Sequence, residues 1–417
     1  MKNVAILCLV FLVMSPFLLP AQEYQVEVTN IQVWVKAMDS SGKALEGLTQ
    51  QDFEIYEDEA RMDPTCFEET RMTEPQAIAG KSESVEVNAP APAPAAARKF
   101  VLFLDLYNTS PSEYGLIRPK MQEFVDQLKD RDAEIMVAAL TPAGKLGIIA
   151  PFTKNLEAVK DLLNRAPSNA KRDQKVRNNE RKIELVFTNM NENTADTMFR
   201  TAYSLARQYA DEERTEGEFS LAALESFAAH LQELRRGEHA VILFVSGGFN
   251  ADPGRFYYDV IDKIAESRGY TVGTSSWRSV MPNSVRQISF DIRREVQESV
   301  GRLNRYNVTV YSINTRGMYV PGGSISAFDR DFIVQDTSYL QDFQESLAQI
   351  ADETGGTSFM NSQNFKLGFD RVLEDLDHQY MICYTAPLHA KKGQYHKIKV
   401  VVKKPDIKLR YRLGYVD

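Results

Sequence analysis

The segment Lys99–Ser110, KFVLFLDLYNTS, joins an apolar run to an aspartate and a group of hydroxyl and amide side chains. The run Phe100–Leu104 is typical of a strand that is buried on both faces of a parallel sheet. Asp105 then lies at the carboxyl end of this strand, where open α/β sheets hold their ligand sites. The segment therefore predicts a central strand with a polar site at its end.

Further apolar runs follow along the chain and alternate with amphipathic helical patterns. They predict strands at residues 133–140, 240–246, 307–314 and 357–360. Lys145–Phe152 is predicted as an additional strand at the sheet edge. Alternating strands and helices are typical of an α/β fold. We therefore expect a doubly wound, mostly parallel sheet in an α/β domain over residues 99–385.

Three polar excursions interrupt this alternation, at residues 166–217, 269–289 and 316–338. Long excursions in compact domains are usually functional or disordered. Binding residues often lie on loops that a rigid scaffold carries. We therefore expect the three excursions to form or flank a binding surface.

The regions on either side of the α/β domain have different patterns. Residues 22–73 contain short alternating strands and predict a small β-sandwich-like domain. Residues 74–98 are rich in proline and alanine and predict a linker. Residues 386–417 alternate like strands again, as a C-terminal β-strand extension. These last strands could extend the central sheet or pair with the N-terminal β domain.

Residues 1–21 have the pattern of a secretory signal peptide, with a lysine, an apolar run and Ala21 as the cleavage position. A retained transmembrane anchor is the alternative. The run is short for a membrane span and contains Pro16 and Pro20. We therefore expect an exported protein, periplasmic or secreted, without a stable membrane span.

Two cysteines, Cys66 and Cys383, remain once Cys8 has left with the signal peptide. They could pair in an oxidising compartment. They fall in different predicted domains, however, so we expect two separate buried thiols.

The overall charge narrows the class of partner. The net charge is −8 and the isoelectric point is near 5.4. Nucleic-acid binding depends on a basic surface that neutralises phosphates. The sequence therefore argues against a nucleic-acid-binding protein.

Three motifs add a family resemblance to this pattern. They are GLTQQDFEIYED at 47–58, IADETGG at 350–356 and RYRLGYVD at 410–417. Together with the strand that ends in Asp105, they resemble the bacterial, acidobacterial-type VWFA-related family, whose α/β domain is similar to von Willebrand factor A. The resemblance implies a protein-binding module with a metal-ion-dependent adhesion site, in which carboxylate and hydroxyl oxygens hold Mg²⁺.

The residues that would form this metal site match the family pattern only in part. Asp105 matches the first aspartate of the Asp-x-Ser-x-Ser loop, and Thr109 or Ser110 matches a hydroxyl position. Ser246 stands where the family has a distant aspartate. The distant threonine of the family has no clear counterpart, and Ser220 is the nearest hydroxyl before the helix that begins at Leu221. The predicted site is therefore degenerate. If it holds a cation, the cation is Mg²⁺, and no other cofactor is expected.

A second role for the same residues is structural, because Asn108, Thr109 and Ser110 can cap the following helix and satisfy loop amides. We favour this role over metal binding. In either case the predicted binding loop comprises, besides the metal candidates, Tyr107, Asn108, Ser246, Gly247, Gly248 and Asn250.

The function that we expect is non-enzymatic protein binding, for adhesion or scaffolding, through loops at the carboxyl edge of the sheet. One alternative is a serine hydrolase that uses Ser246, with His378, His389 or His396 downstream. Phe244 stands where the G-x-S-x-G pattern requires glycine, which weakens this alternative. Another alternative is envelope assembly through the β domain and the C-terminal strands.

Overall fold

The structure is a computed structural model. It describes residues 30–71, 98–129, 131, 133–166, 172–191, 193–235, 238–267, 290–316, 337–362, 364–388 and 392–417. The predicted signal peptide and nearly all of the predicted linker lie outside these residues. So do the excursion at 269–289 and most of the excursion at 316–338.

A six-stranded, mostly parallel sheet forms the centre of the α/β domain, with the strand order β10-β9-β8-β5-β6-β7. Its strands are β5 (Arg98–Asp105), β6 (Ala133–Leu140), β7 (Leu146–Thr153), β8 (Ala240–Ser246), β9 (Val308–Asn314) and β10 (Ser358–Phe359). The predicted strand at 357–360 is therefore reduced to two residues. β7 is antiparallel to β6 and lies at the sheet edge, as predicted.

Eight helices belong to the described part of the chain. They are α1 (Pro111–Gln127), α2 (Leu156–Arg165), α3 (Arg172–Val186), α4 (Ala195–Leu234), α5 (Arg255–Ser267), α6 (Arg293–Arg305), α7 (Thr337–Glu353) and α8 (Phe365–Asp377). Apolar residues of α1, α2 and α8 pack on one face of the sheet. Apolar residues of α4, α6 and α7 pack on the other. The α/β class is thus confirmed, with helices on both faces of the sheet.

The side chains of β5 alternate between these two layers because successive residues of a strand point to opposite faces. Val101 and Phe103 lie in the core beneath α4, whereas Leu102 and Leu104 lie in the core beneath α1. Asp105 continues the first series. Its side chain is therefore directed to the α4 side of the sheet, where β5 ends.

The excursion predicted at 166–217 is not an open loop. It contains α3 and the first half of α4, a helix of 40 residues. These helices and α5 share a separate apolar core around Phe199, Tyr209 and Tyr257. Few of the α3 side chains are apolar, which hid the helix in the sequence.

The small β unit consists of two four-stranded sheets, with the orders β13-β1-β11-β4 and β14-β12-β2-β3. Its strands are β1 (Asn30–Met38), β2 (Phe53–Glu57), β3 (Ala60–Met62), β4 (Pro64–Arg71), β11 (His378–Thr385), β12 (Tyr395–Val402), β13 (Lys408–Arg410) and β14 (Gly414–Val416). Both sheets contribute to one apolar core.

The C-terminal strands pair with the N-terminal strands and not with the central sheet, which decides between the two predicted alternatives. β11 also belongs to the small β unit, since it pairs with β1 and β4. The boundary predicted at residue 385 had assigned this strand to the α/β domain. The α/β domain is therefore inserted between β4 and β11.

A disulfide joins Cys66 of β4 to Cys383 of β11, with the two Cα atoms 4.8 Å apart. The prediction of two separate thiols is wrong. The two residues are direct partners in the antiparallel ladder. The bond therefore links the strand that precedes the inserted domain to the strand that follows it.

The small β unit packs against the end of the central sheet that is opposite Asp105. Trp34 of β1 stacks on His239, which precedes β8, with ring centroids 4.5 Å apart. Asn307, which precedes β9, donates a hydrogen bond to Gln32 (3.0 Å). The β unit and the predicted site at Asp105 thus lie at opposite ends of the parallel strands.

Candidate functional site

Three segments of the chain meet at the carboxyl end of β5. Asp105 and Ser246 are neighbours in the parallel register of β5 and β8, and the Ser246 hydroxyl donates a hydrogen bond to Oδ2 of Asp105 (2.6 Å). The side-chain nitrogen of Asn108 donates to the same Oδ2 (2.9 Å) and to Oγ of Ser220 in α4 (2.6 Å). The structure therefore brings together Asp105 and Ser246, which the sequence analysis singled out, with Asn108 and Ser220.

The remaining polar residues of the loop organise its backbone. The backbone N–H of Asn108 donates to Oδ1 of Asp105 (3.1 Å), and Oγ1 of Thr109 donates to the carbonyl of Asp105 (2.7 Å). Ser110 caps α1 by accepting from the N–H of Glu113 (3.3 Å). The Glu113 carboxylate accepts in return from the N–H of Ser110 (2.8 Å), which completes a capping box. The loop thus has the structural role that the sequence favoured.

Most of the predicted binding loop is buried. Asp105 and Ser246 are 0% exposed, and Asn108, Thr109 and Ser110 are buried as well. Residues 247–251 are also buried, which includes Gly247, Gly248 and Asn250. Tyr107 is half-buried, and its ring packs on Phe219 of α4. In this conformation α4 and the loop after β8 cover the site, so these residues are not presented to a partner.

Gly248 shows how closely α7 packs against the loop after β8. Its φ is +77°, and a Cβ at this position would lie 2.4 Å from the carbonyl oxygen of Phe343 in α7. Only glycine adopts such a backbone without strain and leaves the necessary space. The sequence allowed a turn or a position that needs a positive φ at Gly247-Gly248, and Gly248 is such a position, which lets α7 approach the loop.

The donor set does not fit Mg²⁺. A hard cation requires several oxygen ligands that are free to face it. Here the single carboxylate of the cluster accepts hydrogen bonds on both oxygens, and the Asn108 NH₂ lies between Asp105 and Ser220. The contacts of Asp105, Thr109 and Ser110 are those of a hydrogen-bonded loop.

The contacts of Ser246 do not resemble those of a hydrolase nucleophile, which needs a base within hydrogen-bond reach. Its hydroxyl donates to Asp105 and accepts from the N–H of Gly248 (2.9 Å). His378 and His396 lie in the β unit, where they contact Glu69 and Asp58. His389 lies outside the described residues.

A second polar network lies next to the first and was missed in the sequence. Glu213 of α4 is buried and accepts hydrogen bonds from Tyr257 (2.9 Å) and from the side-chain nitrogen of Asn250 (3.0 Å). Burial raises the pKa of the Glu213 carboxyl. Glu213, Gly217 and Ser220 are spaced to share one face of a helix. That spacing was the available signal, but it required treating residues 195–234 as one helix.

The carboxyl end of β9 contributes Thr315 and Arg316, which the sequence also did not single out. The Thr315 N–H donates to the carbonyl of Ser246 (2.9 Å). Nε of Arg316 donates to the carbonyl of Gly247 (2.7 Å), and its guanidinium lies 4.0 Å from the ring centroid of Phe343. These contacts join the loop after β8 to the end of β9 and, through the ring of Phe343, to α7.

Replacement of Ser246 by alanine is expected to destabilise the fold by about 1–3 kcal/mol, because it leaves a buried carboxylate and a buried amide each without one partner. Urea unfolding of the mature chain measures this change. Ser204→Ala, at an exposed position of α4, is the matched control and should change the free energy of unfolding by no more than about 0.5 kcal/mol. Equal values for the two variants would contradict the hydrogen-bonded role of Ser246.

Comparisons with known proteins add little to this geometry. No protein-family model matches the chain, and no curated protein matches it. One solved structure with similarity is an aerotolerance-related membrane protein from Bacteroides fragilis NCTC 9343 that carries multiple mutations to serines. It is 11% identical, covers 67% of this chain and 98% of its own, and has a TM-score of 0.32. This similarity is too low to support a conclusion about function.

Among the helices of the described ranges, none has both the length and the apolar character needed to cross a bilayer.

Proposed function

We propose that the chain is an exported, non-enzymatic protein-binding module of the von Willebrand factor A type, in which hydrogen bonds have replaced the cation of the adhesion site. The observation that carries this proposal is the convergence of Asp105, Asn108, Ser220 and Ser246 at the carboxyl edge of a parallel sheet. Their side chains satisfy one another without a metal.

The arrangement of charges supports a site that holds no metal. An NH₂ group offers two N–H donors, and in Asn108 these reach the carboxylate of Asp105 and the hydroxyl of Ser220. The serine at position 246 adds a third donor to the cluster instead of a second negative charge. The neutral amide of Asn108 and the hydroxyl of Ser246 therefore satisfy the single carboxylate of Asp105 by hydrogen bonds. A divalent cation would be required to balance the charge of two carboxylates.

The surface that contacts the partner then differs from the buried loop. Helices α3, α4 and α5 stand at the same edge of the sheet and share their own core. We propose that the outer faces of α3, α4 and α5 form the binding surface, together with the chain segments that connect these helices to the sheet. The β unit contributes to stability instead, because its C-terminal strands are engaged in pairing with β1 and β2.

Export is part of the proposal and is supported by the Cys66–Cys383 bond. Disulfides persist in oxidising compartments and are rare in the cytosol. The N-terminal pattern of residues 1–21 points in the same direction.

A thermal melt of the mature protein with EDTA, Mg²⁺, Mn²⁺ or Ca²⁺ tests the metal-free site. A cation that binds only the folded state raises the melting temperature, by the equivalent of about 2.7 kcal/mol at a hundredfold excess over its dissociation constant. We expect no shift for the wild type. The double variant Asn108→Ser with Ser246→Asp removes the amide and adds a carboxylate, so it should become more stable when Mg²⁺ is added.

The controls separate a specific site from nonspecific ion effects. Adding Asp105→Ala to the double variant should abolish its response to Mg²⁺. A Mg²⁺-dependent shift in the wild type that disappears in Asp105→Ala would show that the site binds metal, and the proposed replacement by hydrogen bonds would then be wrong.

A further inference from the structure

Three chain segments meet beside the loop that follows β8. The N–H of Ala251 donates to the carbonyl of Asp342 in α7 (3.1 Å), and the N–H of Ile292, just before α6, donates to the carbonyl of Ala251 (3.0 Å). In sequence, Asp291 follows the predicted excursion 269–289, and Asp342 follows the predicted excursion 316–338. These contacts therefore fix the points at which both excursions rejoin the fold.

The same place concentrates charged side chains, which we call the acidic joint: Asp252, Arg255, Asp291, Arg293, Asp342 and Glu345. Arg293 donates two hydrogen bonds to Glu345 (2.9 and 2.8 Å) and one to Asp291 (2.7 Å). The carboxylates of Asp252 and Asp342 repel each other and are each attracted by Arg255 and Arg293. The joint thus contains four carboxylates and two guanidinium groups.

Asp342 is the poorly satisfied member of the joint. Its side chain is 5% exposed. Its Oδ1 lies 3.8 Å from Arg255 and 3.7 Å from Arg293, distances that are too long for hydrogen bonds. Its buried Oδ2 has no hydrogen-bond partner within the described residues. A buried ionised carboxylate in this situation destabilises the fold.

We propose that the acidic joint is a pH-sensitive switch, in which protonation of Asp342 under mildly acidic conditions tightens the contact among the three segments and ionisation near neutral pH loosens it. This proposal does not rest on the proposed function. It concerns the stability of the carboxyl edge, whatever the edge binds.

The direction of the effect follows from the pKa of Asp342. Burial raises this pKa to about 6, the arginines oppose the rise, and Asp252 and Glu345 add to it. Burial also raises the pKa of Asp252, whereas the hydrogen bonds from Arg293 lower the pKa of Glu345. Because the folded state holds the Asp342 proton more tightly than the unfolded state, the stabilisation is complete below about pH 4. It is lost as the pH rises through about 6.

Hydrogen exchange of the full mature chain at pH 5.0, 6.0 and 7.5, corrected for the intrinsic exchange rate, tests the switch. The amides to follow are those of Ala251 and Ile292, whose acceptors lie in the joint. For a group with these pKa values, we expect protection to be about tenfold greater at pH 5.0 than at pH 7.5. In Asp342→Asn, position 342 is neutral throughout, so the corrected protection should change with pH much less than in the wild type, and the change that remains should come from Asp252, whose pKa burial also raises.

Two arginine variants keep the test decisive if Asp342→Asn does not fold. Arg293→Gln removes a cation that favours ionised Asp342, so the midpoint of the protection change should move to higher pH. Arg294→Gln is the matched control, because Arg294 is exposed and pairs with Glu298 on the outer face of α6. Protection independent of pH in the wild type, or equal midpoints in the two arginine variants, would overturn the proposal.

Discussion

Replacement of Asp375 by alanine is expected to destabilise the protein by about 3–5 kcal/mol, the range found when one partner of a buried ion pair is removed. The Asp375 side chain is 1% exposed and lies at the end of α8, where the α/β domain returns to the β unit. Arg410 of β13 contacts its carboxylate directly, and Nζ of Lys36 in β1 lies 3.9 Å away. Without this carboxylate, the buried ammonium of Lys36 and the half-buried guanidinium of Arg410 repel each other.

The backbone around Asp375 makes the loss hard to compensate. Nζ of Lys36 also donates to the carbonyls of Glu374 (2.7 Å) and Asp375 (3.1 Å). Burial lowers the pKa of Lys36, and Asp375 is the largest opposing influence. The lysine therefore cannot leave the site without breaking the contact between β1 and α8. We expect the variant to unfold in two steps, because this cluster couples the β unit to the inserted domain.

Urea unfolding followed by circular dichroism and by tryptophan fluorescence measures both the free energy and the coupling. Glu374→Ala is the matched control, since its side chain is 64% exposed and exposed substitutions change stability by about 0.5 kcal/mol or less. Lys36→Met combined with Asp375→Leu should recover part of the loss by removing both charges. If Asp375→Ala costs no more than the control, the cluster does not hold the two parts together.

The central sheet could be predicted because its evidence is local. The runs that form β5, β6 and β8 are almost entirely apolar, as is typical of strands buried on both faces, and β9 is rich in β-branched residues. The alternation of β5 also gives the side of the sheet to which Asp105 points, once Val101 and Phe103 are known to face α4. The same alternation holds for Ser246 after Ile242 and Phe244, which all lie on the α4 side. Local pattern therefore brings the two polar residues together.

The packing of α4 and of the loop after β8 over Asp105 could not be predicted, because it depends on contacts between segments that are distant in sequence. Ser220 meets Asn108 across 112 positions, and Asn250 meets Glu213 across 37. An isolated glutamate in a polar stretch gives no sign that it will be buried. An amphipathic stretch from Phe199 to Tyr209 was visible, but the polar residues around it and those of α3 resembled an excursion from the α/β alternation. The loop expected to bind a partner instead holds together three elements of the fold.

The strand pairing of the β unit could not be predicted from local patterns either. The alternation of Phe53 and Ile55 correctly places both side chains in its core, because period two is visible in one segment. No local pattern says that β11 pairs with β4, which lies on the other side of the inserted domain. The sequence therefore predicted strands on both sides but not the disulfide that joins them.

Reduction of the Cys66–Cys383 bond is expected to lower the free energy of unfolding by about 2–5 kcal/mol, the usual effect of losing a native disulfide. The two cysteines are separated by 317 positions. The bond closes a loop that contains the whole inserted domain, and the entropy that it removes from the unfolded chain grows with the logarithm of loop length. Most of this loss should therefore appear without any change in the native contacts.

A double variant, Cys66→Ala with Cys383→Ala, separates the effect of the bond from side effects of the reductant. Urea unfolding of the wild type with a phosphine reductant should match the double variant, and the double variant should not respond to the reductant. Equal stability of the oxidised and reduced wild type would show that the bond adds nothing. The predicted difference bears directly on export, because a chain kept in the reducing cytosol would lose the link between the strands that bracket its inserted domain.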